Sequence, residues 1–399
     1  MKPHGSIPHW FTAARMADIV AAAAVTPCFV YDFGIVREKV AALRAALPDG
    51  VVIHYAMKAN PLPGFVAQMV GIVDGIDIAS GGELVLARAA GATHISFAGP
   101  GKRDDEIEAA IRARATLNLE SSGEADRALR IADRIGLRPL LAVRVNPDFT
   151  LKGSGMKMGG GAAAFGVDAE HVVPLVKRLM AAGADWRGYH IFAGSQALDS
   201  EAIADTQLAT VALADRLAQD VGAPPPLVNI GGGFGIPYFA NERAVDIAMI
   251  GARLGEALDA RSSALQTSRF AVELGRWLVG ECGVYLTRVI DRKQSRGETF
   301  LVTDGGLHHQ LAASGNFGTV VRRNYPIAVA AKIDGPSTET VNVVGCLCTP
   351  LDKLGDQVSL PHADVGDVIA IFMAGAYGAT ASPASFLGHG PAHEVMIGG

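Results

Sequence analysis

The chain has 399 residues, 49% apolar and 19% charged, so it can bury a large core and is not globally disordered. A net charge of −5 and a pI near 6.1 argue against a general nucleic-acid or anionic-membrane surface. The basic residues are scattered, apart from Arg112/Arg114 and Arg322-Arg323, and the apolar runs fall short of a membrane span.

The length suggests one large domain and a smaller one. Residues 1–27 fit no clear pattern and are expected to pack with the smaller domain. From 28 to 270, short apolar runs alternate with Ala-rich helical stretches. The runs are Phe29-Val-Tyr, Val51-Val-Ile-His-Tyr, Gly75-Ile-Asp-Ile, His94-Ile-Ser-Phe, Thr116-Leu-Asn-Leu-Glu, Pro139-Leu-Leu-Ala-Val-Arg-Val, Gly188-Tyr-His-Ile-Phe and Leu227-Val-Asn-Ile-Gly. Eight strand candidates separated by helices predict a TIM-like α/β barrel over 28–270. The rival is a doubly wound sheet, but no glycine fingerprint follows the first strand. From 271 to 399, Val/Thr/Ile-rich strands lie between Gly/Pro/Asp turns, which predicts an all-β domain joined by residues 1–27. The four cysteines (Cys28, Cys282, Cys346, Cys348) form no C-x-x-C pair and no His-spaced zinc pattern. They read as reduced thiols in a cytoplasmic protein, and no metal is expected.

Lys58, in Tyr55-Ala-Met-Lys-Ala-Asn60, stands at the end of the strand predicted over 51–56, where a barrel displays its chemistry. Among Tyr55, Ala56 and Met57 it is expected to be partly desolvated, which favours a nucleophilic amine able to form a Schiff base with a carbonyl cofactor. The bland alternative is a solvated surface lysine. Gly231-Gly-Gly-Phe-Gly235 follows another strand; such a loop exposes backbone N–H groups to a phosphate, or is an ordinary tight turn. Glu273, in Glu273-Leu-Gly275-Arg276, needs a cationic or N–H partner if buried. A protonated pyridine nitrogen is one candidate, and a structural ion pair with Arg276 is the other. In the β-rich part, Cys346-Leu-Cys348-Thr-Pro-Leu-Asp352 offers a thiol in a loop, and Ala374-Gly-Ala-Tyr377-Gly presents a tyrosine between small residues. Each alone reads as readily structural as functional.

Taken in order, these segments and Asp77-Ile-Ala-Ser-Gly-Gly-Glu83 resemble the diaminopimelate/ornithine decarboxylases of the alanine-racemase fold, over nearly the whole chain. The resemblance implies a pyridoxal 5′-phosphate (PLP) enzyme, an α/β barrel joined to a β domain, and a homodimer with shared active sites. It implies that Lys58 carries PLP, that Gly231, Gly232, Gly233, Phe234, Gly235, Ser195, Gly275, Arg276 and Tyr377 surround the phosphate side, and that Glu273 meets the pyridine nitrogen. Asp77 and Arg144 would lie near the lysine and ring hydroxyl, while Cys348 and Asp352 would enter from the partner subunit.

Three departures bear on substrate. The family's Gly-x-His-x-His-x-Gly-Ser segment is Gly188-Tyr-His190-Ile-Phe192-Ala-Gly-Ser195 here, so Phe192 replaces the stacking histidine and keeps only its aromatic face. His190 shares that strand face and is a candidate substrate contact or a structural histidine. Diaminopimelate decarboxylases carry Cys-Glu-Ser where this chain has Cys348-Thr349-Pro350, and their Arg-Pro-x-x-Tyr element is replaced by Asp304-Gly-Gly-Leu-His-His-Gln-Leu-Ala-Ala-Ser-Gly-Asn-Phe317. The partner for a distal ammonium is thus missing, which argues for another substrate. The cysteine loop, the Ser385-Phe-Leu-Gly-His389 ending and the glycine-rich 152–162 segment, a candidate mobile lid, resemble a subgroup of siderophore, antibiotic and exosortase-associated pathways. Some members of that subgroup decarboxylate amino acids joined to citrate or a carrier protein. The reading is a biosynthetic PLP-dependent α-decarboxylase acting on an L-amino acid, free or conjugated to a small acid or carrier protein, with Cys348, Thr349, Asp352 and His190 facing substrate. The alternatives are diaminopimelate decarboxylase, a racemase of the same fold and a non-catalytic PLP-binding regulator.

Overall fold

The computed structural model describes all residues except Ser154, Met158 and 316–322. The lid candidate and the 304–317 element therefore fall partly outside the described residues, as does Arg322. The chain divides into two compact units, one of residues 39–235 and 244–275, the other of 1–38, 236–243 and 276–399.

Nine described strands of three or more residues precede residue 275. They are β1 (Cys28–Asp32), β2 (Val51–Ala56), β3 (Gly75–Ile78), β4 (Ile95–Phe97), β5 (Thr116–Leu119), β6 (Leu140–Asn146), β7 (Asp185–Ile191), β8 (Leu227–Gly232) and β9 (Arg269–Leu274). Strands β2 to β9 pair in parallel in chain order, and β9 returns to β2, with Glu273 opposite His54 and Leu274 opposite Tyr55. The barrel is closed. Its strands are buried on both faces, which is why they read as near-continuous apolar runs rather than alternating ones. Helices follow the strands with local start signals: Ser80 and Ser121 accept hydrogen bonds from the amides of Glu83 and Glu124 at the first turns of Gly81–Ala89 and Ser122–Ile135.

One expected barrel strand lies elsewhere. β1, counted from the sequence as the first of eight, pairs antiparallel with Gly283–Ser295 (β10) and parallel with His393–Ile397 (β16). The eighth barrel strand is β9 instead. The confusion has a physical cause: all five β1 residues are buried, and a strand sandwiched in a β domain shows the same unbroken apolar pattern as one inside a parallel barrel.

The second unit is built on strands, as expected. β11 (Glu298–Thr303), β12 (Ile327–Val329), β13 (Glu339–Val344), β14 (Lys353–Leu360) and β15 (Val368–Ile371) join β10 in the order β12-β15-β10-β11-β13-β14. Phe29 of β1 packs on Tyr285 of β10 with ring centroids 4.9 Å apart, within a core that also holds Tyr31, Val284 and Leu286. Among the described residues no helix is long and apolar enough to cross a membrane.

Candidate active site

The C-terminal ends of the barrel strands frame a cleft of about 520 Å³, part of it open to solvent, lined by Lys58, Asp77, Arg144, His190, Phe192 and Glu273 among others. Barrels of this kind place their chemistry at this end. Six positions singled out in the sequence thus meet in one cavity.

After β2 the chain makes a single 3₁₀ turn, Met57–Ala59, whose first and last residues are buried. That turn swings Lys58 out. The expected partial desolvation is corrected: Lys58 is exposed on the cleft, not packed against Tyr55, Ala56 and Met57, because those side chains point into the core. Gly275 packs against the same turn, since a Cβ there would lie 3.0 Å from the Ala59 methyl and 3.1 Å from the Ala56 carbonyl.

Glu273, near the end of β9, is 6% exposed. The Nε2–H of His190 on β7 donates to its Oε2 at 2.8 Å, and the Asn229 amide approaches the same oxygen at 3.4 Å. Burial alone would raise this carboxyl, but the His190 hydrogen bond and charge, with Lys58 and Arg144, outweigh it and hold Glu273 below the usual carboxylate range. It is therefore an ionised floor for the cleft. The alternative of a Glu273–Arg276 ion pair is not what forms, since Arg276 instead donates to the Tyr238 hydroxyl at 2.7 Å and lies 4.7 Å from the Tyr377 ring centroid, within the β unit.

Asp77 on β3 is buried, and both of its carboxylate oxygens lie 3.3 Å from His54 Nδ1. Burial works against the His54 imidazolium, yet Asp77, followed by Glu273 and Asp74, raises His54 above its ordinary value. Phe192 forms a half-buried wall, its ring centroid 6.5 Å from that of His190. His190 is 3% exposed and committed to Glu273 through Nε2, which makes it a support for that carboxylate, while its Nδ1 lacks a partner among the described residues.

The glycine loop is held by backbone contacts. Gly233 has a φ of +79°, and a Cβ on it would fall 2.6 Å from the Gly194 carbonyl. Ala197 N–H donates to the Gly233 carbonyl at 3.0 Å and Gly235 N–H to the Ala197 carbonyl at 2.7 Å. Gly231 N–H is likewise bonded, to the Asn229 side chain at 2.9 Å. Ser195 lies on the adjoining two-residue strand Gly194–Ser195, which pairs with Met156–Lys157 of the glycine-rich segment.

Sequence reasoning missed the network beneath the cleft. Glu120 accepts from Arg144 at 2.9 Å, from Gly99 N–H at 2.5 Å and from Gly166 N–H at 2.7 Å. Lys102, with its side chain wholly buried, donates to Glu124 at 2.7 Å and to the carbonyls of Gly99 and Asn118 at 2.7 and 2.9 Å. Burial lowers the Lys102 ammonium, partly countered by Glu124. No motif marks these partners; only strand-end position could have found them. Lys102→Met leaves the buried Glu124 carboxylate without its cation, so it is expected to lower the unfolding free energy by about 3–5 kcal/mol in denaturant titration.

Cys348 is exposed at the tip of the turn 346–352 in the β unit. Asp352, by contrast, is 2% exposed and accepts from Leu307 and Leu347 N–H at 2.6 and 2.9 Å. Thr349 closes the turn, its hydroxyl accepting from Leu351 N–H at 3.3 Å. Tyr377 is half-buried in a left-handed conformation at φ 60°.

An unpartnered buried nitrogen on His190, an ionised carboxylate, an aromatic wall and an exposed amine suit a planar, anionic pyridine cofactor. Residues 33–280 match the family model described as the pyridoxal-dependent decarboxylase, pyridoxal binding domain. The chain belongs to that family of decarboxylases. L-glutamyl-[BtrI acyl-carrier protein] decarboxylase of Niallia circulans is 34% identical over 93% of this chain and 88% of the relative. Diaminopimelate decarboxylase of Aquifex aeolicus is 29% identical, covering 88% of this chain and 82% of that one. The crystal structure of Helicobacter pylori diaminopimelate decarboxylase complexed with L-lysine superposes with a TM-score of 0.81 at 26% identity, covering 92% of this chain and 91% of that chain. The decarboxylase is thus a PLP-dependent carboxy-lyase acting on an amino acid or an amino-acid moiety, with the barrel-plus-β architecture expected from its sequence.

Proposed function

We propose that this decarboxylase acts on an α-amino acid whose far end is already conjugated, in a biosynthetic pathway, rather than on free diaminopimelate. The carrying observation is the fate of acid in the cysteine turn. Asp352 is the sole carboxylate between residues 346 and 352, and it is buried on the amides of Leu307 and Leu347. A substrate with a distal ammonium finds no counter-charge on that turn, and a site lacking such a partner discriminates against it. The relative in Niallia circulans is named for a glutamyl group on an acyl-carrier protein, which fits a conjugated substrate here.

In this reading Lys58 holds PLP through its amine, Glu273 keeps a proton on the pyridine nitrogen, and Phe192 covers one ring face. When bound, PLP supplies the electron sink that receives the pair left behind as CO2 departs. Gly232, Gly233, Phe234 and Ser195 face the phosphate; Gly231 and Gly235 shape the loop, since their N–H groups already have acceptors. Arg276 and Tyr377 are assigned to the phosphate on the resemblance alone. Asp77 and Arg144 orient the groups around the lysine, His190 fixes the Glu273 carboxylate, and Lys58 or Cys348 delivers the proton to Cα. The protein works as a cytoplasmic homodimer with Cys348 serving the partner's site. The four cysteines, all unbridged, fit a reducing compartment.

Release of CO2 from free L-glutamate, meso-diaminopimelate, and glutamyl conjugates of pantetheine and carrier protein tests the substrate. A conjugate is expected to exceed every free amino acid in kcat/KM by about 10²-fold or more. If diaminopimelate is the best substrate, the reading of the turn is wrong.

A further inference from the structure

We propose that the β unit holds a zinc-type metal site built from His308, Cys346 and His389. The ligand atoms of these three residues lie within 4.8 Å of one another, yet the residues come from three separate segments. No spacing motif announces them, and the sequence alone predicts no metal. His308 is fully buried, and both of its ring nitrogens lack a hydrogen-bond partner among the described residues. A buried imidazole with two unanswered nitrogens is uncommon and needs an explanation. Cys346 is half-buried beside it and His389 is exposed, with the two histidine rings 4.8 Å apart.

The surroundings position all three. Asp352 accepts from the N–H of Leu307, next to His308, and of Leu347, next to Cys346. Gly306 and Gly345 make room for that carboxylate, since a Cβ on either would fall 2.3 or 2.2 Å from its oxygens. His309 accounts for the third: its ring meets the Tyr285 hydroxyl at 3.0 Å and the carbonyl of Gly390, next to His389, at 3.0 Å. Each ligand therefore has a chain neighbour anchored by hydrogen bonds, and the Asp352 carboxylate supplies negative charge close by. These contacts fix the backbone on which the three side chains stand, while the His308 ring nitrogens stay open to a ligand.

A mixed imidazole–thiolate set suits zinc. Bonds of about 2.0–2.3 Å in a tetrahedron place ligand atoms about 3.5 Å apart, and rotation of the exposed His389 ring closes the wider gap. Binding forms one Zn–S and two Zn–N bonds and releases the Cys346 thiol proton to solvent; no oxidant or reductant is involved. The fourth position is left to water. Because Cys346 begins the turn that presents Cys348, the ion would fix that turn.

Holoenzyme stripped with a chelator and titrated with Zn²⁺ against a chromophoric competitor is expected to take up one equivalent per chain. Co²⁺ in its place is expected to give tetrahedral d–d bands to the red of cofactor absorption, with a thiolate-to-cobalt band. Cys346→Ser and His389→Asn should each weaken Zn²⁺ binding by more than the roughly 10–100-fold typical of outer partners. His389 is exposed, so its variant tests binding without disturbing the core. Cys348→Ser, whatever it does to turnover, should leave Zn²⁺ affinity within about twofold. No stoichiometric uptake, affinity unchanged in both ligand variants, or loss only in Cys348→Ser would each overturn the site. These readouts do not use turnover, so they stand or fall apart from the substrate reading.

Discussion

Lys58→Ala is expected to lose the visible absorbance of bound cofactor and to lower kcat by about 10³-fold or more. The cause is chemical rather than structural. Lys58 projects from a one-turn 3₁₀ segment onto an open cleft, whereas Met57 and Ala59 on either side are buried. Replacing the exposed side chain leaves that packing in place, so stability measured on cofactor-free protein should change by no more than about 0.5 kcal/mol. A coloured, active Lys58→Ala protein would remove the amine from the mechanism.

Glu273→Gln should retain the fold and cut kcat by about 10²- to 10³-fold with a smaller change in KM. Glutamine keeps an oxygen that can accept from His190 Nε2–H, so the 2.8 Å contact has a replacement while the charge disappears. Glu273 lies below the ordinary carboxylate range, so it is charged throughout the neutral and mildly acidic range, and the acid limb of a kcat profile should not belong to it. The variant should therefore lower the plateau without moving that limb. A kcat within threefold of the parent protein would show that the charge is not used.

Much of the cleft was legible because strand ends in a barrel are legible. Lys58 and Glu273 follow apolar runs that form β2 and β9, and the glycine loop follows β8. The resemblance joined these positions before any coordinates did. What stayed hidden depends on partners far apart in sequence. Glu120, Lys102 and Glu124 look like ordinary helix and strand residues until burial forces them to satisfy one another and the Arg144 guanidinium. Lys58's exposure was misjudged because neighbours in sequence were taken for neighbours in space; a 3₁₀ turn separates the two. The trio His308, Cys346 and His389 escaped for the same reason as the ionic network: its members share a place, not a spacing.

The position of β1 has a consequence for how the polypeptide matures. Its partners are β10 and β16, which begin at Gly283 and His393, so this buried five-residue strand leaves the ribosome long before either acceptor exists. The barrel strands, by contrast, are complete once β9 has emerged. Synthesis thus favours an order in which the α/β module condenses first and the amino-terminal strand is stitched in last, its unpaired edge open to adhesive pairing meanwhile.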